Sequence, residues 1–333
     1  MSGNRSVARE GAGGRETIAD TGDSGEPAPG GTADIGGNTD IGGNTGIGDE
    51  ARRRVGGLFD LEQVDDATFR ARTSSRSGPA SRFPGMRLFG GQVASQALRA
   101  AAHTVVADHA VNSLHAYFLR GGSYGAPVDY VVDRIRDGSS FTTRRVVAVQ
   151  DGKAILNLDA SFHRDEPGDE HQPASPVDLV APPEKAAAPE EPPWMRGRPV
   201  DLRWVAAPAP CTRAVWLRVP GRLADDPVLH ACLLTFVSDM GPVSVVGESL
   251  ASPRGSRMMA SLDHCMWFHH PARTDEWLLY TLEPVATARA RGVARGSIWT
   301  RDGRLAVSLA QEVLARPIDP ARRGGPATGG PSR

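Results

Sequence analysis

A module that occurs twice constrains this chain more than any other feature. Near Ser113–His163 and again near Ser261–Leu314, a Ser-Leu strand start leads through extended stretches to an Asp-Gly turn and an alternating strand. In the first copy Asp151-Gly152 precedes Leu156, Leu158, Ala160 and Phe162 on one face; in the second, Asp302-Gly303 precedes Val307, Leu309, Gln311 and Val313. Strand side chains alternate with period two, so each set is expected to point inward. The second copy then places a primary amide where the first has a methyl group. Burying an amide costs ~1–3 kcal/mol unless it finds hydrogen-bond partners. Gln311 is therefore the first candidate for a functional site.

The order of elements repeats with the module. Val93, Ala97, Leu98, Ala101 and Val105 stand at helical spacing and predict a helix over Gly90–Val105, entered through a Gly90-Gly91 pair that permits close backbone approach. Strands are predicted at Ser113–Leu119, Val128–Arg136, Phe141–Gln150 and Lys153–His163, with hairpin turns at Asp137-Gly138 and Asp151-Gly152. In the second half a strand near Ala214–Val219 precedes a helix carrying Val228, Leu229, Cys232, Leu233, Phe236 and Val237. Strands follow at Arg257–Phe268, Glu276–Glu283, Ala288–Thr300 and Arg304–Ala315. The second helix is apolar over much of its surface, so it is expected to be enclosed. A helix wrapped by a curled antiparallel sheet, twice per chain, is the α+β hotdog arrangement. One such sheet leaves an edge and a face uncovered, so two tandem hotdog domains are expected to pair as an internal pseudo-dimer.

Composition sets the boundaries. The first 50 residues hold fourteen glycines, nine acids, three arginines, and neither leucine nor an aromatic residue. Too little apolar surface is available there to offset ordering, so residues 1–55 are expected to be disordered. Residues 56–164 and 200–317 are assigned to the two hotdog domains, and 318–333 to a disordered tail. Residues 165–199 carry nine prolines and read as a linker on which Trp194 is a possible anchor.

A net charge of −1 demands no nucleic-acid or membrane partner. The longest apolar runs fall short of the ~18–20 residues that span a bilayer. Cys211, Cys232 and Cys265 lack CxxC or Cys/His spacing and read as free, buried thiols of a reducing, cytoplasmic environment.

Particular segments carry more specific information. In the first half these are LFGGQVASQAL (Leu88–Leu98), LHAYFLRGG (Leu114–Gly122), RDGSSFTTRRV (Arg136–Val146) and ASFH (Ala160–His163). In the second they are Ser238-Asp239, LDHCMWFHHP (Leu262–Pro271), EWLLY (Glu276–Tyr280), ARGVARG (Ala290–Gly296) and DGRLAVSLAQEVLAR (Asp302–Arg316). In this order and spacing the chain resembles the acyl-CoA thioesterase II family of double-hotdog hydrolases, over about residues 58–164 and 212–316. The resemblance implies a hydrolytic site of an Asp, a hydroxyl residue and a Gln that together hold a water. By motif these are Asp239, Ser261 and Gln311. The family often has Thr at the middle position; Ser keeps the donor and acceptor but lacks the methyl group. The resemblance further implies an acyl-CoA substrate, no cofactor or metal, and assembly into a homo-oligomer, a dimer or tetramer.

The residues themselves are consistent with that chemistry. Thioester hydrolysis needs a water aimed at the carbonyl, a base to take its proton, and donors for the developing oxyanion. A carboxylate supplies the base, while a hydroxyl and an amide both donate and accept. The G-x-S-x-G elbow of α/β-hydrolases is absent. Other readings stay open at each position: Asp239 as a polar helix end, Ser261 as an ordinary strand start, Gln311 on a bulge. His115, His264, His269 and His270 lie among aromatics without metal-ligand spacing and read as packed or edge histidines, with Asp263-His264 able to order the loop beside Ser261. Arg291 and Arg295 are candidates for coenzyme A phosphates or for exposed strand arginines. The Gly-Gly-Gln entry to the first helix is a candidate source of oxyanion donors. The rival functions are a hotdog enoyl-thioester hydratase and a non-catalytic acyl-CoA-binding protein.

Overall fold

The computed structural model describes residues 48–73, 87–188, 199–209, 213–253 and 255–318. The first half comprises α1 (Asp49–Val55), β1 (Leu61–Gln63), β2 (Thr68–Ala71), α2 (Gly90–Ala102), β3 (His109–Phe118), β4 (Val128–Asp137), β5 (Phe141–Gln150) and β6 (Lys153–Arg164). The second comprises β7 (Asp201–Val205), β8 (Arg213–Arg218), α3 (Pro227–Ser238), α4 (Pro242–Glu248), β9 (Arg257–Ser261), β10 (Asp263–Phe268), β11 (Leu278–Ala288), β12 (Arg291–Trp299) and β13 (Leu305–Pro317).

The strands form one antiparallel sheet in the order β1-β2-β4-β5-β6-β3-β10-β13-β12-β11-β8-β7, with β9 beside β13. The order is palindromic: β3 answers to β10, β6 to β13, β5 to β12, β4 to β11, β2 to β8 and β1 to β7. The halves meet where β3 pairs with β10, from Asp263↔Tyr117 to Trp267↔Ser113. This is the double hotdog expected from the repeated module, its two sheets joined edge to edge.

Helices α2 and α3 lie against the sheet and against each other. Alanines line the buried side of α2, with Ala94, Ala97 and Ala101 fully buried, which allows the close approach. Every α3 residue from Leu229 to Ser238 is buried, as its all-round apolar surface predicts. Contrary to the sequence reading, one stretch among the described residues, Pro227–Glu248, is by length and composition apolar enough to cross a membrane, but most of it is buried inside this fold.

Three local departures from the sequence reading bear on the site. First, the strand predicted over Arg257–Phe268 is two strands. Ser261 pairs with Val313 and Cys265 with Ala310, so three residues on one side face two on the other. This is a β-bulge at Leu262-Asp263. Leu262 N–H donates to Glu312 O at 2.9 Å, and Asp263 Oδ1 accepts from Glu312 N–H at 2.6 Å, keeping the backbone satisfied through the irregularity. Second, β11 and β12 turn at Arg289 and Ala290, both at positive φ (49° and 60°). Neither residue is a usual choice there, which is why the hairpin was not legible. Third, the apolar helix ends at Ser238-Asp239 as read, but Gly241 (φ 154°) then starts a further short helix, α4, that the sequence reading did not expect.

Helix α1 buries Ala51 and Val55, in residues whose composition predicts disorder. Of the proline-rich segment, Gln172 hydrogen-bonds Gly303 O and Leu305 N–H. Trp194, Cys211, residues 1–47 and residues 319–333 lie outside the described residues.

Candidate active site

The C-terminus of α3, the N-terminus of α2 and the bulged strands converge on one buried polar patch. Asp239 is the residue that caps the end of α3 and is 8% exposed. Its Oδ2 accepts from the Gly91 backbone N–H at 2.8 Å, so a helix N-terminus of the first half holds a carboxylate of the second. Neither glycine at this contact has room for a side chain. A Cβ on Gly90 would stand 2.9 Å from Asp239 Oδ2 and 2.8 Å from the Phe118 ring, and one on Gly91 would stand 2.5 Å from Phe236 O.

The other two predicted residues reach the same place. Gln311, fully buried on β13, donates from Nε2 to Ser261 Oγ at 2.7 Å, and Ser261 Oγ donates to Asp239 Oδ1 at 3.4 Å. The inward register read from the alternation of β13 therefore holds, and the three residues singled out by sequence are brought together.

The bulge is what permits this. Residues 261 and 264 are three apart and in an unbroken strand would face opposite sides. With one extra residue between them, Ser261 lies opposite the inward Val313 and His264 stands one register step on from Cys265↔Ala310, opposite Gln311.

His264 belongs to the patch, although its sequence surroundings read as those of a packed histidine. It is fully buried; its Nδ1 lies 2.7 Å from Gln311 Oε1 and its Nε2 lies 2.8 Å from Ser238 Oγ. Burial pushes its pKa down from the usual 6.5, against the opposing pull of Asp239, the Gln311 contact and Asp263. Tyr280 donates from its hydroxyl to Ser238 O at 2.5 Å, and burial raises that phenol well above its ordinary pKa, as does the charge of Asp239. The polar contacts thus run from Ser238 through His264, Gln311 and Ser261 to Asp239, which follows Ser238 in the chain. No period-two reading of the sequence places His264 in the patch, because its inward face depends on the bulge at Leu262-Asp263.

In the first half the answering pair is Leu114↔Ala160, at most 1% exposed. The patch is polar on one side of the pseudo-twofold and apolar on the other.

The remaining candidates separate from the site. His115 is exposed and makes an edge contact with Trp267, their ring centroids 5.4 Å apart. His269 Nε2 lies 2.9 Å from Ser308 Oγ near the surface. Arg291 is ion-paired with Glu312 at 2.8 Å, and Arg295 with Glu283, both on exposed strand positions. Cys232 is buried, its thiol pushed up to about 12, and Cys265 is half-buried; both are free. No group of three or more His, Cys, Asp or Glu able to hold a metal ion occurs among the described residues.

Fold and site together define a double-hotdog protein with a polar centre between its halves. Residues 79–163 match the family model of the acyl-CoA thioesterase N-terminal domain, and residues 156–315 that of the C-terminal domain. The human protein named acyl-coenzyme A thioesterase 8 is 36% identical over 291 residues, covering 78% of this chain and 88% of that one. Acyl-CoA thioesterase 2 of Haemophilus influenzae is 30% identical over 281 residues, covering 78% and 96%. Among solved structures, an acyl-CoA thioesterase II from Mycobacterium marinum superimposes with a TM-score of 0.70 at 36% identity, covering 79% of this chain and 98% of that one. The chain belongs to the acyl-CoA thioesterase II family.

Proposed function

We propose that this protein hydrolyses acyl-CoA to a free carboxylic acid and coenzyme A, through a water held by Asp239, Ser261 and Gln311. The observation that carries the reading is the convergence of these side chains at the N-terminus of α2, in a family of thioesterases. Asp239 takes the water's proton through Oδ1. Ser261 and Gln311 fix the water's position, because their hydroxyl and amide both donate and accept. The dipole at the N-terminus of α2, beyond the Gly91 N–H already committed to Asp239, supplies positive potential where the thioester carbonyl becomes an oxyanion. Attack on the carbonyl carbon gives a tetrahedral intermediate. Its collapse breaks the C–S bond, and the leaving sulfur takes the proton held by Asp239, releasing coenzyme A and restoring the carboxylate. No covalent enzyme intermediate is needed.

The experiment is thiol release by purified protein from a panel of acyl-CoAs, with crotonyl-CoA included. Free thiol with Asp239-dependent turnover supports hydrolysis. Loss of the crotonyl double bond without thiol would indicate a hydratase, and saturable binding without either change a non-catalytic binder.

A homo-oligomer, a dimer or tetramer, is part of the same proposal. Its support is the pair of large side chains left exposed near the β3–β10 seam, Tyr117 at 59% and Trp267 at 39%. A monomer mass by light scattering at micromolar concentration would refute it. A reducing, cytoplasmic location is proposed on the free thiols of Cys232 and Cys265.

A further inference from the structure

Two amide orientations fit between Ser261 and His264, and they differ in which group each hydrogen bond commits. As a carboxylate, Asp239 offers only acceptors. Ser261 Oγ, 3.4 Å away, therefore directs its proton to Asp239 and leaves a lone pair for Gln311 Nε2–H at 2.7 Å. That turns Gln311 Oε1 toward His264 at 2.7 Å, and a carbonyl oxygen only accepts, so Nδ1 must carry a proton. Burial keeps the imidazole neutral, which leaves Nε2 as an acceptor for the Ser238 hydroxyl at 2.8 Å. Every donor in the series then points toward Asp239. A doubly protonated ring would instead force the Ser238 proton onto Thr235 O, 2.9 Å away, and place a cation where no solvent reaches.

We propose that His264 is the positioning residue of this site: its Nδ1–H locks the Gln311 amide in the one orientation that aims Nε2 at Ser261 and at the water beside Asp239. The proposal rests on the hydrolase reading above. It also accounts for the asymmetry between the halves. Gln311 without His264 would leave a buried carbonyl oxygen unpaired, so both positions are polar in the second half and both apolar, Leu114 and Ala160, in the first. Leu114 shows that the answering position of the first half holds a leucine.

The test uses His264→Leu, His264→Asn, Gln311→Ala and the double variant His264→Leu with Gln311→Ala. The leucine variant is expected to stay folded, with kcat lower by on the order of 10²-fold and KM changed less than about threefold. Asn donates from nearly the Nδ1 position and is expected to recover about tenfold over Leu. Because His264 acts through Gln311, the double variant is expected to be no slower than Gln311→Ala alone. Nitrogen-15 NMR of labelled histidine in the resting protein is expected to show the Nδ1–H tautomer. The proposal is overturned by a folded leucine variant with wild-type kcat, by losses that multiply in the double variant, or by an Nε2–H tautomer. Absence of thiol release by the wild type would instead remove the hydrolase reading, and the tautomer measurement would still decide the orientation.

Discussion

The Gly91 backbone N–H and the Asp239 carboxylate meet at 2.8 Å across 148 positions of sequence. The chemistry therefore belongs to neither half alone, and the contact depends on two glycines at the start of α2. A Cβ at Gly91 would lie 2.5 Å from Phe236 O, a backbone atom that moves only if α3 moves. Gly91→Ala is expected to cost ~1–3 kcal/mol and lower Tm by roughly 2–12 °C, together with turnover. Calorimetry that finds an unchanged Tm would show that the helices separate more easily than their packing implies.

Asp239→Asn keeps the size of the side chain and removes the base. It is expected to lower kcat by on the order of 10²-fold or more while KM changes little. A folded Asn variant with wild-type turnover would eliminate Asp239 as the group that activates water.

Ser261 accepts from Gln311 and donates toward Asp239, so the hydroxyl matters and its methyl neighbour does not. Ser261→Thr is expected to retain activity within about threefold, helped by the β preference of threonine, whereas Ser261→Ala is expected to lose on the order of 10-fold or more in kcat and Gln311→Ala on the order of 10²-fold or more. Steady-state kinetics of the three variants checks this, and an active Ser261→Ala would contradict it.

Acid should act on stability through His264. Its native pKa is lowered by burial, while the unfolded chain protonates near the usual 6.5. As pH falls below about 6.5, the unfolded state takes a proton that the native state refuses, so this contribution is intact above that pH and declines toward the native pKa. The charged or titratable groups around the imidazole are Asp239 from α3, Asp263 from its own strand, and Tyr280 on β11 through Ser238. Between pH 7.5 and 5.5 the wild type is expected to lose Tm more steeply than His264→Asn. Equal slopes by scanning calorimetry would show that the imidazole is not held neutral.

The features that were legible in the sequence are those set by strong local chemistry. The Asp151-Gly152 turn takes positive φ at both residues, 49° and 70°, and it fixed the register of β6. The alternation after Asp302-Gly303 placed Gln311 inward, and the all-round apolar surface of α3 announced its enclosure. What escaped notice lacks such signals. Arg289-Ala290 turns the chain without a glycine or asparagine because strand pairing on either side holds it there. Strands β1, β2 and β7 are only three to five residues long, too short for a period-two pattern to stand out from chance. His264 was hidden because its face depends on an extra residue in the ladder, and a period-two reading carried past Ser261 turns it the wrong way.

That extra residue sets regular structure against chemistry. Deleting one of Leu262 or Asp263 would give a β9–β10 strand free to pair with β13 without interruption, and by local criteria a better strand. It would also rotate the hydroxyl of Ser261 or the imidazole of His264 out toward solvent. Along this stretch the reading frame of the ladder is itself functional: chain length, counted to the single residue, decides whether the amide of Gln311 has anything to hold.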